Sequence, residues 1–527
     1  MDRARFLQQI VQRQSPWDMA VIGGGATGMG IALDAASRGY EVVLLEQSDF
    51  GKGTSSRSTK LVHGGVRYLQ QGNISLVMEA LKERGILLQN APHLVHDMQF
   101  IVPNYQWWEA PFYGIGLKVY DLLAGKYGFG KSHLLSKEEV LQRIPTLEQD
   151  GLRGGVIYHD GQFDDSRLLI NLAQTAAEQG ACLLNYAKVT NVVKDTEGLI
   201  QGLELRDGEG GQTYSLPARC VINATGPFCD AIRRMDDPAA PAMIAPSQGV
   251  HVVLSRDFLP GDTAMMVPHT KDGRVMFAIP WKEFVVVGTT DTPIPEVQLE
   301  PAAYEKEVDF ILDTASNYLA KRPSKSDLRS VFTGIRPLVK SGEHESTAAL
   351  SRDHTLHIAK SGLVTITGGK WTTYRKMAED TVDHAAILAH LEDRPCVTRE
   401  LRIHGYHNGT VDNPLWSGYG ADAEALEAMA AAQPNLAQPL HEALPVCGIH
   451  VLWAVRHEMA RTVDDVLARR TRALFLHVQA AKTIAPTVAG LMARELDKDE
   501  AWIDTQIADF NRIARHFDIA TLGKQNN

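Results

Sequence analysis

The sequence predicts an α/β protein in which a Rossmann-like βαβ unit opens the chain, an antiparallel sheet is inserted, and an all-α domain follows. Three observations support this fold class. Residues 17–46 contain a buried strand, a glycine-rich turn, a small-residue helix and a second strand. Alternating apolar runs between residues 247 and 292 are typical of a mostly antiparallel sheet. From Ala421 to Asp518 the apolar residues recur at helical spacing almost throughout.

The opening unit has the glycine spacing of a dinucleotide site. Gly23, Gly25 and Gly28 stand at the G-x-G-x-x-G positions after an apolar strand, and the helix is predicted from Met29 to Arg38. The first glycine permits a tight turn, the second lets backbone amides approach a pyrophosphate, and the third lets helix and strand pack closely. The phosphates would lie at the helix N-terminus, where unpaired amides favour negative charge.

Further residues fall in register with this turn. Glu46 ends the second strand, 18 residues after Gly28, where a carboxylate can accept hydrogen bonds from an adenosine ribose. Residues 224–226 (ATG) and 368–369 (GG) each follow a buried strand, and we expect them to approach the same dinucleotide. The complete set favours a nucleotide site over an ordinary glycine-rich turn.

Length and composition limit the class of protein. A chain of 527 residues exceeds what one hydrophobic core usually supports, so two or three domains are expected. The 53 Lys and Arg against 63 Asp and Glu give a net charge of −10, which argues against a nucleic-acid partner. Five cysteines without a C-x-x-C motif predict reduced, buried thiols and no metal site. With no signal peptide or membrane span in the pattern, we expect a cytoplasmic protein, and peripheral membrane contact stays open.

The loop after Glu46, SDFGKGTSSRSTKLVHGGVRYL, is dense in glycine, hydroxyl and cationic side chains. We interpret it as a ligand-lining loop, with a merely solvated loop as the alternative. Its polar side chains suit phosphates or the polar edges of a cofactor. They are Thr54, Ser55, Arg57, Ser58, Lys60 and Arg67.

The segment from Tyr105 to Lys131 interleaves aromatic residues with leucines and carries three lysines. An aromatic, basic, amphipathic piece of this kind can lie in a bilayer interface. Aromatic residues at helical spacing also form domain cores. The sequence leaves both interpretations open.

Several strings in unbroken order between Asp18 and Asp380 resemble the FAD-dependent glycerol-3-phosphate dehydrogenases. The strings are IGGGATGMGIALDAASRG, TSSRSTKLVHGGVRYL, INATGP, GVHVVL, IPW with VGTTDT, TGIRPL, SRDHTL and GGKWTTYRKMAED. One departure is Gln248, where some bacterial members have lysine. The resemblance implies a glutathione-reductase/D-amino-acid-oxidase-like FAD domain, oxidation of sn-glycerol 3-phosphate to dihydroxyacetone phosphate, and electron transfer to a respiratory quinone, with the membrane surface as a further partner.

The domain boundaries that we expect follow from these strings. Residues 1–16 form an N-terminal helix, and residues 391–527 form the helical domain. The FAD-binding domain is discontinuous and the substrate domain is inserted into it. The FAD-binding domain comprises residues 17–75, 150–240 and 330–390, and the substrate domain comprises residues 76–149 and 241–329.

The resemblance also implies the site residues. The expected FAD contacts are Gly23, Gly25, Ala26, Thr27, Gly28, Glu46, Gln47, Thr54, Ser55, Ser58, His63, Gly64, Gly65, Val189, Ala224, Thr225, Gly226, Gly334, Gly369, Lys370 and Thr372. The expected substrate contacts are Arg67, Tyr68, His251, Arg336, Arg352 and Lys370.

Roles can be assigned within that substrate set. Arg336 and Arg352 are assigned to the phosphate because a guanidinium makes bidentate, always-charged hydrogen bonds. Lys370 and Arg67 are assigned to the hydroxyl or carbonyl end, and His251 to the general base. The alternatives are structural ion pairs for the arginines and an ordinary strand histidine for His251.

Rival functions are an oxidase that reduces O₂ to H₂O₂, an FAD-dependent amino-acid or amine oxidase, and a regulatory flavoprotein without turnover. The cations suited to a phosphate favour the dehydrogenase over the amino-acid oxidase. The sequence leaves open which quinone is used and whether a homodimer forms.

Overall fold

The structure, a computed structural model, describes residues 1–65, 73–268, 270–271, 273–340 and 354–522. The strands in chain order are β1 (Trp17–Ile22), β2 (Val42–Leu45), β3 (Leu61–Val62), β4 (Val95–Asn104), β5 (His133–Ser136), β6 (Gly154–Phe163), β7 (Cys182–Leu184), β8 (Ala187–Lys194), β9 (Ile200–Asp207), β10 (Thr213–Asn223), β11 (Ile244–Ser255), β12 (Ala264–Val267), β13 (Met276–Trp281), β14 (Phe284–Gly288), β15 (Thr292–Pro293), β16 (Ser330–Val339), β17 (His354–Ile358), β18 (Val364–Gly368), β19 (Pro439–His441) and β20 (Leu444–Cys447).

The α-helices in chain order are α1 (Arg3–Gln12), α2 (Ala26–Ser37), α3 (Ile74–Asn90), α4 (Glu109–Ala124), α5 (Lys137–Arg143), α6 (Asp165–Glu178), α7 (Cys229–Asp236), α8 (Glu305–Ser316), α9 (Tyr374–Leu388), α10 (Ala423–Ala432), α11 (Gly448–His457), α12 (Ala473–Leu476), α13 (Val478–Leu496) and α14 (Glu500–Ala514). A π-helix occupies Asp465–Arg470.

The first sheet has a parallel centre in the order β18-β10-β1-β2-β7, with β17 antiparallel at one edge. Ile22, the last residue of β1, pairs with Asn223 of β10 and Leu45 of β2. Since the carboxyl ends of parallel strands meet at one edge, the glycine corners that follow β1, β10 and β18 are brought together.

Helix α2 packs against this sheet and against α9 and α6. Its small residues permit the close approach, since a Cβ on Gly30 would lie 2.8 Å from the ring of Tyr374. The helix begins at Ala26 and not at Met29 as predicted, because the last residues of the glycine turn already form its first turn.

The second sheet is built around β11, which pairs antiparallel with β14 and β16, and continues through β13, β12, β4 and β6. The antiparallel character predicted for residues 247–292 is confirmed. Strands β3, β6 and β16 also lie in this sheet, although the predicted boundaries place them in the FAD-binding domain. Strand β6 pairs with β4, β3 pairs with β6, and β16 pairs with β11, and a strand pattern does not reveal such partners.

The C-terminal part is helical, as predicted, apart from the β19–β20 hairpin. A proline removes a backbone donor and disfavours helix, and Pro439 begins the first strand of that hairpin. The helical part packs on the second sheet, where the rings of Phe332 in β16 and Phe475 in α12 are 5.0 Å apart. Across the described ranges, none of the helices combines the length and the apolar character needed to cross a membrane.

Candidate active site

A cavity of about 480 Å³, named here the nucleotide cavity, opens at the carboxyl edge of the first sheet. The glycine corners predicted to approach a dinucleotide line it, including Gly23, Gly25 and Gly369. Gly23 has φ +109°, and a Cβ there would lie 2.7 Å from the carbonyl oxygen of Ala224. Backbone, and not side chains, therefore forms this wall, as a pyrophosphate at a helix N-terminus requires.

Glu46 lies at the end of β2 beside this cavity. Its carboxylate accepts hydrogen bonds from the amides of Gly24 (2.7 Å) and Ser48 (2.9 Å). Burial raises the pKa of Glu46, and the two amides partly oppose this shift. The carboxylate is thus held in place at the position expected to meet a ribose.

The polar loop after β2 covers the N-terminus of α2. The hydroxyl of Ser55 accepts a hydrogen bond from the amide of Ala26 (2.9 Å), and the indole of Trp371 donates to the carbonyl of Ser55 (2.8 Å). Thr54 donates to the carbonyl of Ile335 at 2.6 Å. Both hydroxyls border the nucleotide cavity and stay predicted cofactor contacts. The ligand-lining interpretation is wrong for Lys60, which is fully buried and paired with Asp165.

Two further cavities extend the site. The middle cavity of about 220 Å³ shares one set of residues with the nucleotide cavity, and the apolar cavity of about 540 Å³ shares another with the middle cavity. The first shared set is Thr54, Pro337, Gly368, Gly369, Lys370 and Trp371. The second shared set is Thr59, Leu61, His63 and Arg336. The three cavities therefore follow one another from the glycine corners to the underside of α4.

Most residues predicted to contact the cofactor line one of these cavities. Gly28 does not, because it packs against the turn after β1, where a Cβ would lie 1.9 Å from the carbonyl oxygen of Gly23. Gly64 does not either, since its amide donates to the hydroxyl of Tyr120 at 2.8 Å. Ser58 borders the middle cavity, but its amide and hydroxyl both donate to Asp165.

His251 lies on β11 beside the middle cavity and is buried. Its Nε2 lies 2.9 Å from the hydroxyl of Thr59, and its ring stacks on Phe332 with the centroids 4.8 Å apart. Burial and the positive charges of Lys60 and Arg336 hold the pKa of His251 well below its ordinary value. The imidazole is therefore neutral at pH 7 and able to accept a proton.

Arg336 and Arg274 lie together where the middle and apolar cavities meet. Both bind Asp291, through contacts of 3.0 Å from Arg336 and 2.7 Å from Arg274. Arg336 also donates to the hydroxyl of Thr289 at 3.1 Å. Arg274 was not predicted, because a single arginine before a strand carries no distinguishing motif.

The remaining predicted substrate residues have different outcomes. Lys370 borders the nucleotide and middle cavities. Arg67, Tyr68 and Arg352 lie outside the described residues. Gln248 donates to Glu307 at 2.6 Å, so the cations that act on His251 come from other positions.

The residues present fit FAD. The nucleotide cavity offers glycine backbone for a pyrophosphate, the Glu46 carboxylate for a ribose, and apolar side chains such as Val189 and Met235 for an adenine. The middle cavity continues from it past Lys370 toward His251 and can take a flavin ring. No cluster suited to a metal ion occurs among the described residues.

Comparisons with known proteins agree with this fit. The family described as "FAD dependent oxidoreductase" matches residues 18–375, and the "C-terminal domain of alpha-glycerophosphate oxidase" matches residues 363–503. Mitochondrial glycerol-3-phosphate dehydrogenase of Mesocricetus auratus is 40% identical over 93% of this chain and 72% of its own length. The Arabidopsis thaliana mitochondrial enzyme is 41% identical over 92% and 84%. The structure of glycerol-3-phosphate dehydrogenase from Bacillus halodurans, complexed with FAD, superposes with a TM-score of 0.80 at 29% identity over 99% and 98% of the two chains.

The fold and the linked cavities thus define an FAD-dependent oxidoreductase. Within that class, the chain belongs to the family of FAD-dependent glycerol-3-phosphate dehydrogenases, and the family assigned from the sequence strings is confirmed. The predicted fold class, with its helical C-terminal domain, is confirmed as well.

Proposed function

We propose that this enzyme oxidises sn-glycerol 3-phosphate to dihydroxyacetone phosphate and passes the electrons to a respiratory quinone. The observation that carries the proposal is the position of the guanidinium groups of Arg336 and Arg274 and the neutral imidazole of His251. These groups border the middle and apolar cavities, which follow the nucleotide cavity. A dianionic phosphate needs the guanidinium groups, and an alcohol that loses a hydride and a proton needs the imidazole as a base.

Arg336 and Arg274 would bind the phosphate. Asp291 holds both guanidinium groups in the same place, and their fixed geometry suits a planar, bidentate interaction with phosphate oxygens. Lys370 would contact the hydroxyl that becomes a carbonyl. Arg67, Tyr68 and Arg352 remain proposed contacts on the strength of the family resemblance.

Bound FAD supplies the hydride acceptor for carbon C2. The neutral imidazole of His251 takes the proton of the C2 hydroxyl, and the Thr59 hydroxyl at Nε2 fixes the orientation of the ring. The imidazole itself is buried, which limits its contact with water. The chain thus provides position, charge and a proton acceptor.

The apolar cavity is the proposed quinone site. Thr59 and Arg336 border it on the side of the middle cavity, and Phe112, Ile115 and Val119 of α4 border it on the other side. Aromatic and aliphatic walls of this kind suit a quinone ring and the start of its isoprenoid tail. Because Arg336 and Arg274 line the same cavity, an apolar electron acceptor would enter past the apolar residues of α4 and lie next to the substrate site.

The outer side of α4 supports peripheral contact with a membrane. Its exposed apolar side chains, with one that precedes the helix, form what we call the apolar face of α4. They are Trp107, Phe112, Ile115, Val119 and Leu122. Exposed lysines at 118, 126 and 131 suit anionic headgroups. We propose that the enzyme works at the cytoplasmic face of the membrane that holds its quinone, and the free thiols of all five cysteines are consistent with a reducing compartment.

The test is the absorption spectrum of the purified holoenzyme before and after anaerobic glycerol 3-phosphate. Bleaching of the flavin is expected, and glycine or sarcosine should leave the spectrum unchanged. Arg336→Ala should raise the KM for glycerol 3-phosphate by about 100-fold with FAD still bound, because a charge-assisted bond to a dianion is lost. His251→Ala should slow bleaching by about 100-fold or more.

A flavin that glycerol 3-phosphate leaves fully oxidised would refute the proposal. Unchanged kinetics in Arg336→Ala would remove the phosphate role. The acceptor is tested separately, by comparing the reduction of a short-chain quinone with the yield of peroxide in air. If peroxide formation accounted for all turnover, the enzyme would be an oxidase and not a quinone-linked dehydrogenase.

A further inference from the structure

A chain of buried charges lies behind His251 and leads into the helical C-terminal part. We propose that Lys60, held by Asp165 and Arg472, is a positioning residue that keeps His251 uncharged and ready to act as the base. The inference rests on the proposed function of His251. It gives the C-terminal part a direct role beside the reaction.

The side chain of Lys60 is fully buried. Its backbone has φ +66°, a left-handed conformation that is uncommon for a side chain of this kind and turns the residue inward. The ammonium donates to Asp165 (2.7 Å) and to the carbonyl of Ser56 (3.0 Å). Three rings surround it, with their centroids 5.1 to 5.5 Å from Nζ: Trp281, Phe332 and Phe475. A carboxylate and aromatic faces together stabilise a buried cation.

Asp165 is the centre of this chain. It accepts from the hydroxyl of Ser58 (2.7 Å) as well as from Lys60, and its other oxygen accepts from Arg472 (3.2 Å). Arg472 is fully buried and also donates to the carbonyl of Ser56 at 2.6 Å. The C-terminal part thus fixes the carboxylate that fixes Lys60.

Lys60 acts on His251 across one ring. The ammonium lies 5.1 Å from the centroid of Phe332, and the imidazole stacks on the same ring. Thr59, the residue before Lys60, contacts Nε2 of His251, so the backbone that carries the ammonium also carries the group that orients the base. A displacement of Lys60 would therefore disturb both the charge at His251 and its contact with Thr59.

Several charged groups act on the pKa values of Lys60 and His251. The cations that lower the pKa of His251 are Lys60 and Arg336. Around Lys60 lie Asp165 and Asp164, which raise its pKa, and Arg472, which lowers it, while burial brings the value to about 8. Lys60 is therefore mostly charged at neutral pH, and its charge opposes protonation of His251. A neutral residue at position 60 removes that opposition.

The experiment follows anaerobic flavin reduction by glycerol 3-phosphate in the holoenzyme between pH 4 and 9. In Lys60→Met the acidic limb of the rate should move to higher pH by about one unit, since protonated His251 is inactive and protonates more easily. The KM at high pH should stay within about twofold, because Lys60 does not border the phosphate site. Arg3→Met removes another buried cation, the partner of Asp207, which is not among the charges that act on His251, and should leave the limb in place.

The proposal is overturned if the acidic limb of the rate lies at the same pH in wild type and in folded, FAD-loaded Lys60→Met. Lys60→Gln replaces the methionine variant if that variant does not fold. A second readout needs no turnover. In protein labelled with ¹³C-histidine, the signal absent from His251→Asn should titrate at a higher pH in Lys60→Met than in wild type, and the same titration in both proteins would equally overturn the proposal. If glycerol 3-phosphate fails to bleach the wild-type flavin, the proposed function fails, and the histidine titration still decides whether Lys60 controls the imidazole.

Discussion

Gly28 lets helix α2 pack closely against Gly23, which lines the nucleotide cavity. It sits in the first turn of α2, and a Cβ there would lie 1.9 Å from the carbonyl oxygen of Gly23. Gly28→Ala must push α2 away from β1, so we expect a loss of about 1–3 kcal/mol in the free energy of unfolding. Purified protein should contain well under half of the wild-type FAD, measured by flavin absorbance against protein absorbance.

The matched control is Gly490→Ala. Gly490 also lies inside a helix, α13, where an added Cβ meets no described atom within 4 Å. Alanine is a better helix former, so this variant should keep full FAD and gain about 0.5–1 kcal/mol. Equal FAD content in the two variants would contradict the packing role of Gly28.

The same scale separates what the sequence predicts from what it does not. Gly23, Gly28 and Glu46 were identifiable because their roles depend on local spacing within one βαβ unit. Lys60 and Arg274 were not, because their partners Asp165 and Asp291 are supplied by other elements. A charge-rich loop indicates polarity, whereas only the tertiary contacts decide which cations are paired inside and which border a cavity.

At the scale of elements, α4 answers the question that its sequence left open. Tyr113, Leu117 and Tyr120 are buried and form core. The apolar face of α4 is exposed and borders the apolar cavity on its outer side. The core interpretation therefore applies to the buried side of the helix, and the exposed side is the one that we propose contacts a membrane. Helical periodicity identifies the two sides, and only the packing shows which of them is covered.

Removing the apolar face of α4 should weaken membrane binding. Ile115 and Leu122 are 67% and 80% exposed, so Ile115→Glu with Leu122→Glu adds charge without disturbing the core. Each buried aliphatic side chain is worth about 1.5–3 kcal/mol, so the double variant should bind anionic vesicles at least about 100-fold less tightly in a sedimentation assay. Flavin reduction by substrate in solution should be unaffected.

Ile387→Glu provides the control for that experiment. Ile387 is 75% exposed on α9, outside the apolar face of α4. It carries the same change of charge per site and should leave vesicle binding unchanged. An equal loss of binding in both proteins would mean that net charge, and not the apolar face of α4, controls the association.

At the scale of the whole molecule, buried ion pairs join the C-terminal part to the nucleotide domain. Asp49, in the loop after β2, binds both Arg469 and Arg470 of the π-helix, and Lys52 binds Asp464 at 2.6 Å. Removal of one partner from such a pair leaves an uncompensated buried charge, which costs about 3–5 kcal/mol. The helical domain was predictable from its periodicity, but this attachment was not, because its partners are more than 400 positions apart in the chain.

His404 extends the attachment to the surface and makes it depend on pH. Its ring contacts Asp422 at 2.8 Å through Nε2 and Glu178 of α6 through Nδ1, so the residue joins the segment before α10 to the first sheet's helical layer. The two carboxylates, acting against the effect of burial, raise the pKa of His404 to about 9. The folded protein therefore holds this proton more tightly than the unfolded chain does.

The sign of the consequence follows from linkage. The stabilisation is complete below the ordinary histidine pKa of about 6.5 and is lost as the pH rises through about 9. Wild type should unfold at a higher temperature than His404→Gln at pH 6, and the difference should close by about pH 10. The exposed His357 on β17 gives the control, since His357→Gln makes the same substitution at an exposed strand position. A gap between wild type and His404→Gln that persists undiminished above pH 9.5 would show that the ring acts by packing alone, without its charge.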